Sequence, residues 1–150
     1  MKPRIVPIKR RSLIPASAVR RGARGPAGVP GGGGDGSGVV EFDLSCFASG
    51  KPGSLEILIQ YLVATAVTFP SGLVGSLGQS ILAATGSPVF SIQQNAVEVG
   101  TATFDVDSIA DFVFAADVTF NPGDVFTLVA PSVVDSTLSG LSFTFKGSKV

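Results

Sequence analysis

Histidine and tryptophan are absent from the 150 residues, and tyrosine and cysteine occur once each, as Tyr61 and Cys46. Without histidine there is no Ser-His-Asp or Cys-His machinery, no ordinary general base and no imidazole ligand for a metal. One cysteine excludes an internal disulfide framework and a cysteine-built zinc site within one chain. Lying between Leu44 and Phe47, Cys46 reads as a small buried apolar residue. The aromatic platforms on which single-stranded nucleic acids stack are correspondingly scarce. Charge is also missing in one place, for no charged residue stands between Glu56 and Glu98. Pro70, Gly72, Gly75, Gly78, Gly86 and Pro88 divide that stretch below the length of a membrane-crossing helix, so no membrane insertion is expected. The uncharged segment is expected instead to line contacts between subunits, where charge is depleted.

What is present is distributed unevenly. The formal net charge is zero, but residues 1–38 carry eight basic side chains against Asp35, which gives +7, and residues 39–150 carry three lysines against ten carboxylates, which gives −7. A bipolar chain of this kind addresses its tail to one partner and its body to another. Residues 1–21 read as an extended basic arm, broken by Pro3, Pro7 and Pro15, whose anchoring residues are Arg4, Ile5, Val6, Ile8, Lys9, Arg10, Arg11, Ile14, Arg20 and Arg21. The apolar side chains act as pegs, and the basic ones pair with carboxylates on a receiving protein. Only Ser12 to Pro15 separate the charged start from Ala16-Ser17-Ala18, far short of the apolar core of a signal peptide. Nucleic acid is disfavoured as a partner, because the arm has no aromatic residue to stack on bases and the body is acidic.

Residues 22–38 are glycine-rich, with Gly22, Gly25, Gly28, Gly31 and Gly34 at every third position. Only glycine fits the crowded axis of a triple helix, so this register is that of a trimer. The same stretch reads equally as a flexible linker, since the triplets are few.

From residue 39 onward the periodicity is that of strands. Val40, Phe42 and Leu44 alternate with Val39, Glu41 and Asp43. After a turn at Lys51 to Ser54, the segment Leu55 to Val63 is apolar at both parities, which is the pattern of a strand buried on both faces or of a buried helix, with strand preferred. The β-branched continuation Val67 to Phe69 and the stop at Pro70 to Gly72 favour strand there, and Val89 to Gln94, Val97 to Phe104, Asp111 to Phe114, Val118 to Phe120, Val125 to Ala130 and Leu141 to Lys146 follow, separated by turn signals such as Asn121-Pro122-Gly123-Asp124. Short strands at this spacing, with no amphipathic helix, predict an all-β fold: an antiparallel β-sandwich of jelly-roll type, residues 39–150, behind an extended N-terminal arm. Phe90, Phe104, Phe112, Phe114, Phe120, Phe126, Phe143 and Phe145 are its expected core. Asp105, Asp107 and Asp111 match no calcium-loop spacing and read as turn carboxylates. No catalytic residue, metal site or cofactor is expected.

Phe90 to Asn95, Val97 to Phe104, Val118 to Phe120 with Gly123-Asp124-Val125, Val129-Ala130-Pro131, Asp135, Leu138 and Leu141 to Gly147 together resemble a module of tailed-bacteriophage structural proteins. Gln60-Tyr61 and Ala66 to Pro70 fit the same resemblance, which covers residues 55–147. In such proteins a basic segment with collagen-like triplets often precedes the module. The resemblance implies a virion component assembled in the host cytoplasm, with no enzymatic activity, placed at a tail tip or short fibre, or alternatively on the head as a fibre or as decoration or cement of the capsid. Its partners would be copies of itself, a trimer by the glycine register, other virion proteins through the arm, and a host cell surface. A secreted trimeric ligand-binding module has the same plan of stalk and jelly roll and is the alternative from another class. One departure stands at the hairpin, where the family has Asn-Gly and this chain has Asn95-Ala96. Alanine resists the two positive φ angles of a type I′ turn, so a longer loop or another turn type is expected here.

Overall fold

Among the described residues the first strand begins at Val40, two residues after Gly38. The computed structural model describes residues 38–150, and the arm residues and triplet glycines singled out above lie outside them. Among the described residues the chain forms ten strands and no α-helix: β1 (Val40–Ala48), β2 (Ile57–Leu62), β3 (Val67–Phe69), β4 (Leu77–Leu82), β5 (Val89–Gln94), β6 (Val97–Phe104), β7 (Ala110–Val113), β8 (Val118–Phe120), β9 (Val125–Val129) and β10 (Ser139–Lys149). They make two antiparallel sheets. One has the order β1-β10-β3-β8, with β4 also on β10, and the other the order β2-β9-β5-β6-β7. The pairs β1 with β10, β2 with β9 and β3 with β8 are nested, first strand with last, so the chain wraps as one long folded hairpin.

Alternation along each strand sorts side chains between the sheets and solvent. On β10, Leu141, Phe143, Phe145 and Gly147 point inward, and Ser142, Thr144, Lys146 and Ser148 are less buried and point outward. Phe69, Phe90, Phe104, Phe120, Phe126, Phe143 and Phe145 are each no more than 1% exposed and form the centre of the core. Their rings meet mostly edge to face or tilted, with centroids 5.0 Å apart for Phe126 and Phe145 and 5.5 Å for Phe104 and Phe143, the geometry that ring quadrupoles favour.

Three elements differ from expectation. The segment predicted to be buried on both faces is the edge strand β2, and Ile57 and Leu62 are 55% and 66% exposed. A bulge between Ile57 and Ile59 opposite β9 turns Ile57 to the outer face, while Ile59 stays inside. Nothing among the described residues covers that outer face.

The strand β4 had no sequence signal because its pattern is inverted. Gly78 and Ser80 point inward, and Leu77, Gln79 and Ile81 point outward. Small residues are required inside. A Cβ at Gly78 would lie 2.5 Å from the Cβ of Ala110 and 3.3 Å from a ring carbon of Phe143.

The third difference is the hairpin. Asn95 and Ala96 form a two-residue loop between Gln94 and Val97, with φ of 52° and 67°. These are the two positive φ angles of the primed turn that alanine was expected to prevent. Asn95 supplies the reason. Its side-chain amide donates to Asp124 Oδ1 at 2.7 Å, and its side-chain oxygen accepts from the Val125 N–H at 2.9 Å. The loop is thereby clamped to the β8–β9 turn, which holds Ala96 in the left-handed region at a cost of about 1–2 kcal/mol.

Two expected outcomes follow. Replacing Ala96 with glycine removes that cost and raises stability by about 1 kcal/mol, measured as a higher urea midpoint at unchanged slope. Gly78→Val forces a branched side chain against Ala110 and Phe143 and lowers stability by about 1–3 kcal/mol in the same assay.

Candidate functional site

The two ends of the sandwich are built differently. At one end lie the start of β1, the β2–β3 loop, the β5–β6 hairpin, the β8–β9 turn and the C-terminus. Val150 N donates to Ala66 O at 3.0 Å, Gly123 N to Val63 O at 2.8 Å and Asn95 N to Val125 O at 3.0 Å. Asp124 is the hub of this end, accepting from Asn95, Gln94 and the Asn121 N–H. The Asn95 amide chiefly, with the other two donors, holds its carboxyl below the usual carboxylate range.

The opposite end carries the β1–β2, β4–β5, β6–β7 and β9–β10 loops. Its hub is Asp135. Oδ1 accepts from the N–H groups of Thr137 and Leu138 and from the Thr137 hydroxyl, and Oδ2 accepts from the N–H groups of Thr85 and Gly86 and the Thr85 hydroxyl. These donors, the Thr137 N–H foremost, hold the carboxyl well below the usual range. With both oxygens occupied, Asp135 joins two loops and has no lone pair to offer a ligand. Ser87 donates to Asp105 Oδ1 at 2.7 Å and ties in the third loop. Ser54 donates to Ser132 O at 2.7 Å and ties in the fourth.

Beside Asp135 is a shallow concavity of about 500 Å³, whose walls include Thr85, Ser87, Pro88, Val133 and Ser136. Val133, 82% exposed, stands at this end. A second concavity of about 300 Å³ lies on the outer face of the β2 sheet, with Ile57, Gln60, Gln93, Ala96, Thr127 and Val129 among its lining residues and no charged one. Across the other sheet, Lys146 reaches Glu41 at 2.9 Å. That hydrogen bond first, then the Glu41 and Asp43 charges, raises the lysine above its ordinary value.

The turn carboxylates are dispersed. Asp105 accepts from Ser87, Asp107 accepts from the Ile109 N–H, and Asp111 lies on β7. Among the described residues no three His, Cys, Asp or Glu side chains stand close enough together to hold a metal ion. Cys46 is on the inner side of β1, half-buried rather than fully buried, and its burial raises the thiol above the ordinary value. The anchoring arm residues and the triplet glycines lie outside the described residues. The loop hubs had only a faint signal in the sequence, an aspartate two residues before a threonine at Asp135 and an Asn-Pro-Gly-Asp turn at Asp124.

Asp135 makes the far end sensitive to acid. Because its folded-state pKa is depressed, its contribution to stability is complete above the unfolded value of about 3.9 and is lost as pH falls below it. Asp135→Asn is expected to lower the melting temperature by several degrees at neutral pH and to flatten its decline at acidic pH, as read by circular dichroism. Comparison with known protein families, with curated proteins and with solved structures finds no match to this chain.

Proposed function

We propose that this chain is a non-enzymatic structural component of a tailed-phage virion, a tail-tip or short-fibre part in which residues 1–21 anchor the protein and the sandwich is displayed. The nested strand order, with β1 beside β10, β2 beside β9 and β3 beside β8, fits a jelly roll. The observation that carries the proposal is the polarity of the body. Its first strand begins beside the C-terminus, with Val40 opposite Lys149, and the opposite end presents four loops tied by Asp135, Asp105 and Ser132. A module fed from one end and braced at the other suits attachment on one side and contact on the other.

In this assembly the triplets from Gly22 to Gly34 bring three chains together, and the three arms multiply the avidity of attachment. The partners are other virion proteins at the arm and a host cell surface at the loop end. A second placement, decoration of the head, is favoured by the apolar side chains exposed on the outer sheet faces, such as Leu62, Leu77 and Ile81, which suit lateral packing between capsid units.

A gold label on a cysteine introduced at Ser136, viewed on purified particles by electron microscopy, tests the proposal. Label at the tail end, lost in the double variant Arg10→Glu and Arg11→Glu, is the expected result. Label over the head establishes decoration instead. Particles without label overturn the virion assignment and leave the secreted binding module.

A further inference from the structure

One side of the sandwich is laced shut and the other is not. On the laced side Gln79 of β4 bridges to Ile109, just before β7, and the Gly72 N–H donates to Phe114 O at 2.9 Å. On the other side β1 and β2 are, among the described residues, the outermost strands of their sheets. Edge strands present unpaired N–H and C=O groups, and proteins blunt them by shortness, bulges, proline or charged side chains, lysine above all. Here β8 has three residues, β7 has four and β2 is bulged. The exception is β1. It has nine residues, an unbroken register against β10 from Val40 to Ala48 and neither proline nor lysine, and its two charged residues, Glu41 and Asp43, both stand beside Lys146 of β10.

The sequence of β1 is compatible with itself in one way above the others. In an antiparallel pairing of two copies, inward residues must face inward residues, so only registers that keep the parity are allowed. A two-fold axis at Phe42 or Asp43 sets carboxylates directly opposite each other, Glu41 against Asp43 or Asp43 against Asp43. An axis at Ser45 or Cys46 shortens the overlap. With the axis at Leu44 the whole strand pairs, and no carboxylate faces another. On the outer face Asp43 then meets Ser45 of the second copy and Glu41 meets Phe47. On the inner face Leu44 meets Leu44, and Phe42 meets Cys46.

The surroundings favour this arrangement. Lys146 lies opposite Asp43 in the register and 2.9 Å from Glu41, so the acidic half of the strand already carries a counter-charge. Phe47, 60% exposed, gains an apolar cover from the aliphatic part of the second copy's glutamate. Phe42 and Cys46, half-buried in one copy, become interior to a sheet continuous across both.

We propose that the free edge of β1 is an interface with a second copy of this chain, formed by antiparallel β1 pairing about a two-fold axis at Leu44. Such a contact is isologous, the same strand on both partners. It is independent of the virion assignment and of the three-fold register in the glycine segment. The triplets gather chains within one unit, whereas the β1 edges join one unit to the next.

Ser45 is exposed, so it tests the interface without touching the core. In the full-length protein Ser45→Asp places two pairs of like charges across the axis, and Ser45→Lys places two opposite pairs there. Analytical ultracentrifugation at micromolar concentration is expected to show wild-type particles whose mass Ser45→Asp halves. The concentration at the midpoint of dissociation should rise about tenfold for Ser45→Asp and fall for Ser45→Lys. Far-UV circular dichroism that is the same for all three proteins assigns the change to the contact. A mass that is indifferent to the sign of the charge at Ser45, or a wild-type protein that sediments as monomers or as bare trimers, overturns the proposal.

Discussion

The contact on which the rest of the molecule depends is the row of phenylalanine rings between the sheets, seated on β10. Phe143 and Phe145 stack on each other at 5.8 Å, and from that pair the contacts spread to Phe90 and Phe104 at one end and to Phe126, Phe120 and Phe69 at the other. Each ring pair adds about 0.5–1.5 kcal/mol beyond the area that it buries. Because β10 also pairs with β1, β3 and β4, the same strand carries the rings and the backbone ladder of its sheet. The small residues on β4 follow from it. Gly78 and Ser80 face Phe143 and Leu141 in the register, and bulk there would separate the sheets.

With the centre held this way, the two ends are free to be polar. Each is organised by one aspartate that collects donors from separate loops, Asp124 at the entry end and Asp135 at the far end. Backbone N–H groups in turns need acceptors, and a carboxylate with two oxygens serves several at once. This arrangement fixes the loops by hydrogen bonds to carboxylates, in a chain whose one cysteine cannot close a disulfide within itself.

Much of the architecture was legible in the residues. The bounds of β5, β6 and β8 coincide with those read from alternation, because there the apolar face is the inner face and turn residues close both ends. The β4 strand was invisible for the opposite reason, since its apolar residues face outward and its inner ones are small. The Leu55 to Val63 stretch misled because a bulge shifts parity at Ile57, and a bulge leaves no pattern of its own. At Asn95-Ala96 the intrinsic preference of alanine was judged correctly, but tertiary hydrogen bonds to Asp124 and Val125 outweigh it. In the candidate site, the loop hubs are recognisable from sequence only as turn formers, because what distinguishes Asp135 is the arrival of Thr85 and Gly86 from another part of the chain.

The nested pairing has a consequence for synthesis. Ser45 on the first strand meets Thr144 on the last, 99 residues further along. Of the ten strands, the one that carries Phe143 and Phe145 is the last to be synthesised. Until it emerges, the sheet built on it has no middle, and the uncharged segment from Ile57 to Val97 has no core to enter. The sandwich therefore closes only once all ten strands have been synthesised, through pairings that are distant in sequence.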